Sequence, residues 1–420
     1  MSAESLWVYA DWGAPQEPEL MGELTSQRVR GKEVFAFTYA PEWVKNKKSL
    51  LLDPNLGHYS GTQYPPNHLG NFGVFTDSAP DRWGRMLMRR REALEALEEN
   101  RPVKPLFELD YLTGVHDAQR LGAIRFKREP SGPFVHHAPQ LAAPPWASLR
   151  ELEAAAWNVE ASDEPSPAQN QWLRILLAPG SSLGGARPKA SILDPSGQLW
   201  IAKFPSNQDT KDVGAWEMVV HKVAQLCSIQ VPPAQLLQLA NKHRTFLSKR
   251  FDRTPNGSRL HFASAMTQLG YADGANFTDG ASYLEIASWI IQNGADSPKD
   301  LIELWKRMAL NVFVSNTDDH LRNHGFLLTS RGWHLSPAFD LNPNEFGDGL
   351  TLALSEDSNA QNPDLLREVA PYFGLSDSLA KELLATVKSA AAQWGTIATD
   401  LGISRSEQAE MANAFRWATP

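Results

Sequence analysis

Three side chains in the second half of this 420-residue chain have types and spacing that could perform group transfer. Asp318 is followed five positions later by Asn323, within Asn316-Thr317-Asp318-Asp319-His320-Leu321-Arg322-Asn323-His324, and Asp340 ends the stretch Leu335-Ser336-Pro337-Ala338-Phe339-Asp340. A carboxylate can orient an attacking hydroxyl and take its proton. An amide oxygen and a second carboxylate are hard donors of the kind Mg²⁺ accepts beside a polyphosphate. The order Asp-x-x-x-x-Asn, then a second Asp beyond a short hairpin, is that of phosphoryl-transfer catalysis. A run of Asp, Asn and His can equally be a surface turn, because these side chains bond nearby backbone. The surroundings favour chemistry: a helical pattern over Leu301 to Val314 precedes the run. Phe326 to Leu328 and Trp333 to Leu335 then flank Thr329-Ser330-Arg331-Gly332 as a β-hairpin.

Elements that would position a nucleotide lie upstream. Gly180-Ser181-Ser182-Leu183-Gly184-Gly185-Ala186-Arg187-Pro188-Lys189 is a Gly-rich loop running into a strand, and glycine lets backbone N–H groups approach phosphate closely. It matches neither the Walker form nor G-x-G-x-x-G, and on its own it could be a plain hairpin turn. Leu199 to Phe204 follows as an apolar strand carrying Lys203. A helix from Ala215 to about Leu226 carries Glu217, a candidate ion partner for that lysine. Lys203 could instead be an edge-strand lysine with its head in solvent. Arg244 to Arg253, including Lys249 and Phe251, reads as a strand ending where a hinge would fall.

Before these come three strand-like segments (Leu6–Ala10, Met21–Leu24, Val34–Tyr39), suggesting a small antiparallel sheet, and an Arg-rich helix from Asp81 to Glu99 with Pro80 near its start. Its arginines, Arg82, Arg85, Arg89, Arg90 and Arg91, are interleaved with glutamates and read as a solvated helix face rather than a nucleic-acid patch. Residues 131–145 are rich in Pro, Ala and His, and the neighbouring pair His136-His137 is discounted as a metal site. Tyr283–Gln292, Pro298–Val314, Asp364–Val369 and Asp377–Trp394 are helical in period. The expected architecture is α+β: a two-lobed, protein-kinase-like fold with residues 1–130 an extra N-terminal subdomain, 131–255 the rest of a β-rich N-lobe, and 256–420 an all-helical C-lobe. Nucleotide would sit in the cleft between lobes.

Composition bounds the alternatives. With 42% apolar residues and 14 Trp the chain is globular. The single cysteine, Cys227, rules out an internal disulfide or a Cys-built zinc site and fits a reducing, cytoplasmic setting. A net charge of −8 argues against direct nucleic-acid binding, and the N-terminus lacks a signal-peptide layout. No apolar run is long enough to cross a bilayer, so no membrane association is expected.

Together these segments resemble the HipA-like serine/threonine kinases, the toxin halves of bacterial toxin–antitoxin pairs. The resemblance runs from Tyr39-Ala40-Pro41-Glu42-Trp43 through Arg250-Phe251-Asp252-Arg253 to Thr317-Asp318-x-His320-x-x-Asn323 and Ser336-Pro337-x-Phe339-Asp340. It implies an ATP- and Mg²⁺-dependent kinase in which Asp318 is the catalytic aspartate and Asn323 and Asp340 hold the metal. It further implies that Gly184, Gly185, Ala186, Arg187, Lys189, Lys203, Lys249, Phe251 and His320 line the ATP site. Ser182, beside Ser181, would be the autophosphorylated serine that switches the enzyme off. Some relatives carry an acidic residue where Lys249 stands; a lysine cannot accept a hydrogen bond from the adenine amino group, so adenine would be held through hinge backbone. The resemblance implies a HipB-like helix-turn-helix antitoxin as partner, any DNA contact being made through that partner, and a translation-related substrate such as an aminoacyl-tRNA synthetase. Two rivals stay open: a small-molecule kinase of the aminoglycoside type, and a catalytically silent pseudokinase that only docks a partner.

Overall fold

The computed structural model describes residues 3–12, 17–46, 51–138, 143–161, 173, 176 and 185–418. Two compact units emerge. The first comprises Met1–Asn207 with the returning segments Asp252–Ala263 and Gly270–Ala272; the second comprises Gln208–Phe251, Ser264–Leu269 and Asp273–Pro420.

In the first unit, β1 (Glu4–Ala10), β2 (Glu19–Val29), β3 (Lys32–Tyr39), β4 (Thr62–Gln63) and β5 (Ile124–Lys127) form one antiparallel sheet in the order β4-β3-β2-β1-β5. The three expected strands are present. β5 was not anticipated: it is four residues long and earns its place only by pairing with β1 from far along the chain. Burial alternates along β1, with Leu6 and Val8 fully buried. Phe37, Phe72, Phe75 and Phe126 pack beside the sheet with ring centroids 5.3 to 6.5 Å apart. At Gly22 a Cβ would sit 2.3 Å from the Thr38 carbonyl oxygen, so glycine is what lets β2 and β3 close.

The Arg-rich helix α1 (Arg82–Glu98) is capped by Asp81, whose carboxylate accepts the Gly84 N–H at 2.8 Å. Pro80 therefore precedes the cap instead of occupying the first turn. Arginines of this helix are engaged both by an interleaved glutamate and by groups on other helices. Arg85 is bidentate to Glu108 on α2 (Glu108–Gly114), Arg90 donates to the Val159 carbonyl on α3 (Leu149–Ala161), and Arg91 pairs with Glu95. Next, β6 (Lys189–Leu193) and β7 (Leu199–Lys203) form an antiparallel hairpin that sets Lys189 opposite Lys203.

Asp81 also receives the Lys189 ammonium at 3.0 Å, with both side chains at most 3% exposed. Removing one partner of so deep a pair leaves the other charge desolvated. Asp81→Ala is expected to destabilise the chain by about 3–5 kcal/mol, more than the roughly 1 kcal/mol of a lost cap. Urea unfolding of the single variants and the Asp81→Leu/Lys189→Met double variant checks this. The double variant should lose less than the two singles together.

The second unit begins with α4 (Val213–Leu226), capped by Asp212, which also binds Arg244 at 2.6 Å. The hairpin β8 (Ala234–Leu237) and β9 (Thr245–Lys249) follows. Beyond it the chain forms β10 (His261–Ser264), most of which lies in the first unit's returning segment, and later the predicted hairpin, β11 (Gly325–Thr329) with β12 (Gly332–Leu335), so the part expected to be all-helical carries strands as well as helices. Helices α5 (Tyr283–Asn293) and α6 (Ser297–Phe313) form the centre, with Tyr283, Leu304, Trp305 and Met308 fully buried. They are joined by α7 (Pro363–Val369), α8 (Asp377–Ala391), α9 (Trp394–Asp400) and α10 (Arg405–Met411). Trp394 stacks on Phe415 at 4.7 Å and Trp216 leans on both, tying the C-terminal helices to α4. Among the described residues no helix is long and apolar enough to cross a membrane.

Candidate active site

The loop that leaves α6 separates two adjacent aspartates. Asp318 is exposed, whereas Asp319 is 2% exposed and points inward. A buried carboxylate needs donors, and Asp319 Oδ2 accepts three hydrogen bonds: from the Tyr283 hydroxyl on α5, from Asn311 Nδ2 on α6 at 2.8 Å, and from His324 Nε2 at 2.7 Å. Burial, then the Asp319 charge, push the Tyr283 phenol well above its ordinary pKa, so it stays a donor here. Asn311 Oδ1 in turn accepts from Asn316 Nδ2 at 3.0 Å. Pulling Asp319 inward fixes the loop so that Asp318 faces outward. Asn323 completes the turn: its N–H donates to the His320 carbonyl at 2.8 Å and its Nδ2 to the Asp318 carbonyl at 3.2 Å. That second bond assigns the amide orientation and leaves Oδ1 as the side chain's acceptor.

The segment that carries Asp340 is anchored separately before it returns to this loop. Arg307, 2% exposed and paired with Glu303, donates to the Ser336 carbonyl at 2.6 Å, and the Ala338 N–H bonds the Gln230 carbonyl at 2.7 Å. Burial would raise the Glu303 carboxyl, but Arg307 and Lys306 outweigh it and hold the group below its usual range, as a charged partner. Asp340 itself adopts φ +60, a left-handed conformation costly for a non-glycine residue and concentrated at functional sites. Asn342 Nδ2 holds Asp340 Oδ1 at 3.0 Å. The chain then returns to the catalytic loop, where the Asn344 N–H meets the Ser315 carbonyl at 3.0 Å and Asn344 Nδ2 meets Thr317 Oγ1 at 2.7 Å. The segment that follows Asp340 is thus hydrogen-bonded to the start of the loop that carries Asp318 and Asn323.

The other expected site residues fall as follows. Phe251 packs on Phe339, next to Asp340, with ring centroids 5.4 Å apart. Lys249 ends β9 half-buried, its N–H on the Pro233 carbonyl. His320 is partly buried, with a buried Nδ1 that has no protein hydrogen-bond partner. Glu217 is 5% exposed on α4. In the first unit Lys203 is half-buried at the end of β7, while Lys189, expected at the phosphates, directs its ammonium to Asp81. Gly185 has φ +89, and its carbonyl accepts the Trp83 N–H at 3.4 Å. Ala186 and Arg187 follow it toward β6. Ser181, Ser182 and Gly184 lie outside the described residues. Asn342, Asn311, Tyr283 and His324 were not singled out from sequence. Only the polar run Asp340-Leu341-Asn342-Pro343-Asn344 carried a local hint.

Among the described residues no cluster of three or more His, Cys, Asp or Glu side chains could enclose a metal. Mg²⁺ that shares its shell with phosphates and water needs only one or two protein oxygens, and Asn323 Oδ1 with the Asn342-oriented Asp340 carboxylate fits that requirement.

The model of the family described as HipA-like C-terminal domain matches residues 181–394, just over half of the chain. The chain belongs to this family. HipA of Shewanella oneidensis, solved in complex with HipB and operator DNA, superposes with a TM-score of 0.67 at 16% identity, over 98% of this chain and 95% of that one. The fold is therefore the α+β, kinase-like fold of HipA. A Haemophilus influenzae protein named "Putative kinase" is 25% identical over 179 residues, 38% of this chain and 52% of that protein. The HipA-like chain thus spans about half the length of that curated relative. The Helicobacter pylori proinflammatory kinase CtkA matches at a TM-score of 0.40 and 16% identity, over 56% of this chain and 93% of that one.

Proposed function

We propose that this HipA-like protein transfers the γ-phosphoryl group of ATP, with Mg²⁺, to a serine or threonine hydroxyl. The observation that carries the proposal is the split between the adjacent aspartates: one is consumed by three buried donors so that its neighbour faces outward, on a loop closed by Asn323 and bonded at its start by Asn344. Asp318 orients the acceptor hydroxyl and takes its proton, and Asn323 and the Asp340 carboxylate hold the cation. Mg²⁺, when bound, supplies the positive charge that offsets charge developing on the transferred group. The ATP roles of Gly184, Gly185, Ala186, Arg187, Lys203, Lys249, Phe251 and His320, and that of Glu217 as the lysine's partner, rest on the family resemblance. So does autophosphorylation of Ser182, which would add about −1.5 to −2 charge to the loop and repel it from a triphosphate. A HipB-like antitoxin is proposed as partner, with DNA contact through that partner, and a translation-related protein as substrate.

Incubation of the full chain with radiolabelled ATP and Mg²⁺ tests this. Label should appear on the protein, with phosphate at Ser181 or Ser182 by mass spectrometry. Asp340→Asn should carry none, and label at wild-type level in that variant would refute the metal assignment.

A further inference from the structure

The turn that follows the metal-binding segment is held on every side yet presents one large apolar group to solvent. Phe346 is 87% exposed. Single exposed apolar side chains are ordinary on protein surfaces and need no function. What sets this one apart is its support. Its own N–H donates to Asn344 Oδ1 at 3.0 Å, and Asn344 is bonded to Ser315 and Thr317. Glu345 is fixed twice, its carboxylate by Lys211 and its carbonyl by Asn413 Nδ2. Arg416 Nη2 donates to the Gly347 carbonyl at 3.1 Å. At Gly347 a Cβ would lie 2.2 Å from Thr317 Cγ2, so the turn is pressed against the residue that immediately precedes Asp318. Ordering a turn this thoroughly costs conformational entropy, and the Phe346 ring returns almost none of it by burial. The Lys211 ammonium stands 5.8 Å from that ring, and Trp417, beside Arg416, is itself 38% exposed. An exposed aromatic ring is therefore anchored on a turn that presses against the residue preceding Asp318.

We infer that Phe346 is a specificity-determining contact for a polypeptide substrate, receiving an apolar side chain that flanks the acceptor serine or threonine. The inference rests on the phosphotransferase reading above and deepens it by naming a residue that selects the substrate. A metabolite small enough to sit wholly at Asp318 has no use for a projecting ring outside the reacting atoms. An extended peptide passing the aspartate can cross it.

The test is a positional library of serine-centred peptides phosphorylated by the full chain with Mg²⁺ and ATP. The wild type should select an aliphatic or aromatic residue at one flanking position. Phe346→Ala should abolish that selection and raise KM for the preferred peptide about tenfold, the scale of one lost apolar contact. The kcat, and ATP hydrolysis without peptide, should be unchanged, and Phe346→Leu should recover most of the selectivity. Selection that survives Phe346→Ala, or a wild type that labels peptides without flanking preference, overturns this inference and leaves phosphotransfer standing. ATP hydrolysis with no peptide labelled also overturns it, by moving the acceptor to another class. Absence of both labelling and hydrolysis in the wild type overturns the kinase reading and this inference with it.

Discussion

Asp318→Asn is expected to lower kcat for phosphoryl transfer by about 10²- to 10⁴-fold, the range attributed to a positioned general base. An amide keeps the size of the carboxylate but cannot take a proton, so the loss should fall on kcat while KM for ATP stays near the wild-type value. The exposed position of Asp318 implies that the fold tolerates the change, with stability altered by no more than about 0.5 kcal/mol. Steady-state kinetics together with a thermal melt would separate the two effects. A variant that melts normally and retains most of its kcat would remove Asp318 from the chemistry.

The adjacent carboxylate should behave in the opposite way. Asp319→Ala leaves the Tyr283 hydroxyl, Asn311 Nδ2 and His324 Nε2 without their shared acceptor in a site where Asp319 is 2% exposed. Breaking a buried charged network by removing one member costs about 3–5 kcal/mol, and denaturant unfolding should register it as a lower midpoint. Asp319→Asn retains an acceptor oxygen and should fall between wild type and Asp319→Ala. Activity should drop with it, because the inward pull on Asp319 is what turns Asp318 outward. If Asp319→Ala unfolds at the wild-type midpoint, the network is not what holds the loop. The two substitutions form a matched contrast: one affects the rate with little change in stability, the other affects stability first.

Much of the fold was readable where the cause is local. The β11–β12 hairpin, strands β1 to β3, and helices α1, α5, α6 and α8 follow from residue type, periodicity and turn residues. The interleaved glutamates along α1 suggested pairing within the helix, which Arg91 with Glu95 shows, whereas Arg85 turns to Glu108 on another helix and Glu92 to Arg101. Other features were hidden because their partners are distant in sequence. β5 is too short to be recognised without β1. The family resemblance implied Lys189 as a phosphate ligand. Asp81, far upstream, decides where its ammonium goes.

Residue types and spacing alone singled out Asp318, Asn323 and Asp340 as candidates, because a metal-assisted transfer would demand an acceptor-only side chain and hard oxygens at set intervals. They could not say why Asp318 faces outward while Asp319 does not, since in sequence the two are interchangeable neighbours. Only the tertiary structure decides that. Tyr283 and Asn311, on two packed helices, meet His324 around one carboxylate and satisfy it, and a buried charge stays where its donors converge. The same holds for Asp340, whose left-handed backbone is sustained by contacts from Arg307, Gln230, Asn342 and Asn344 that bring its segment back to the loop.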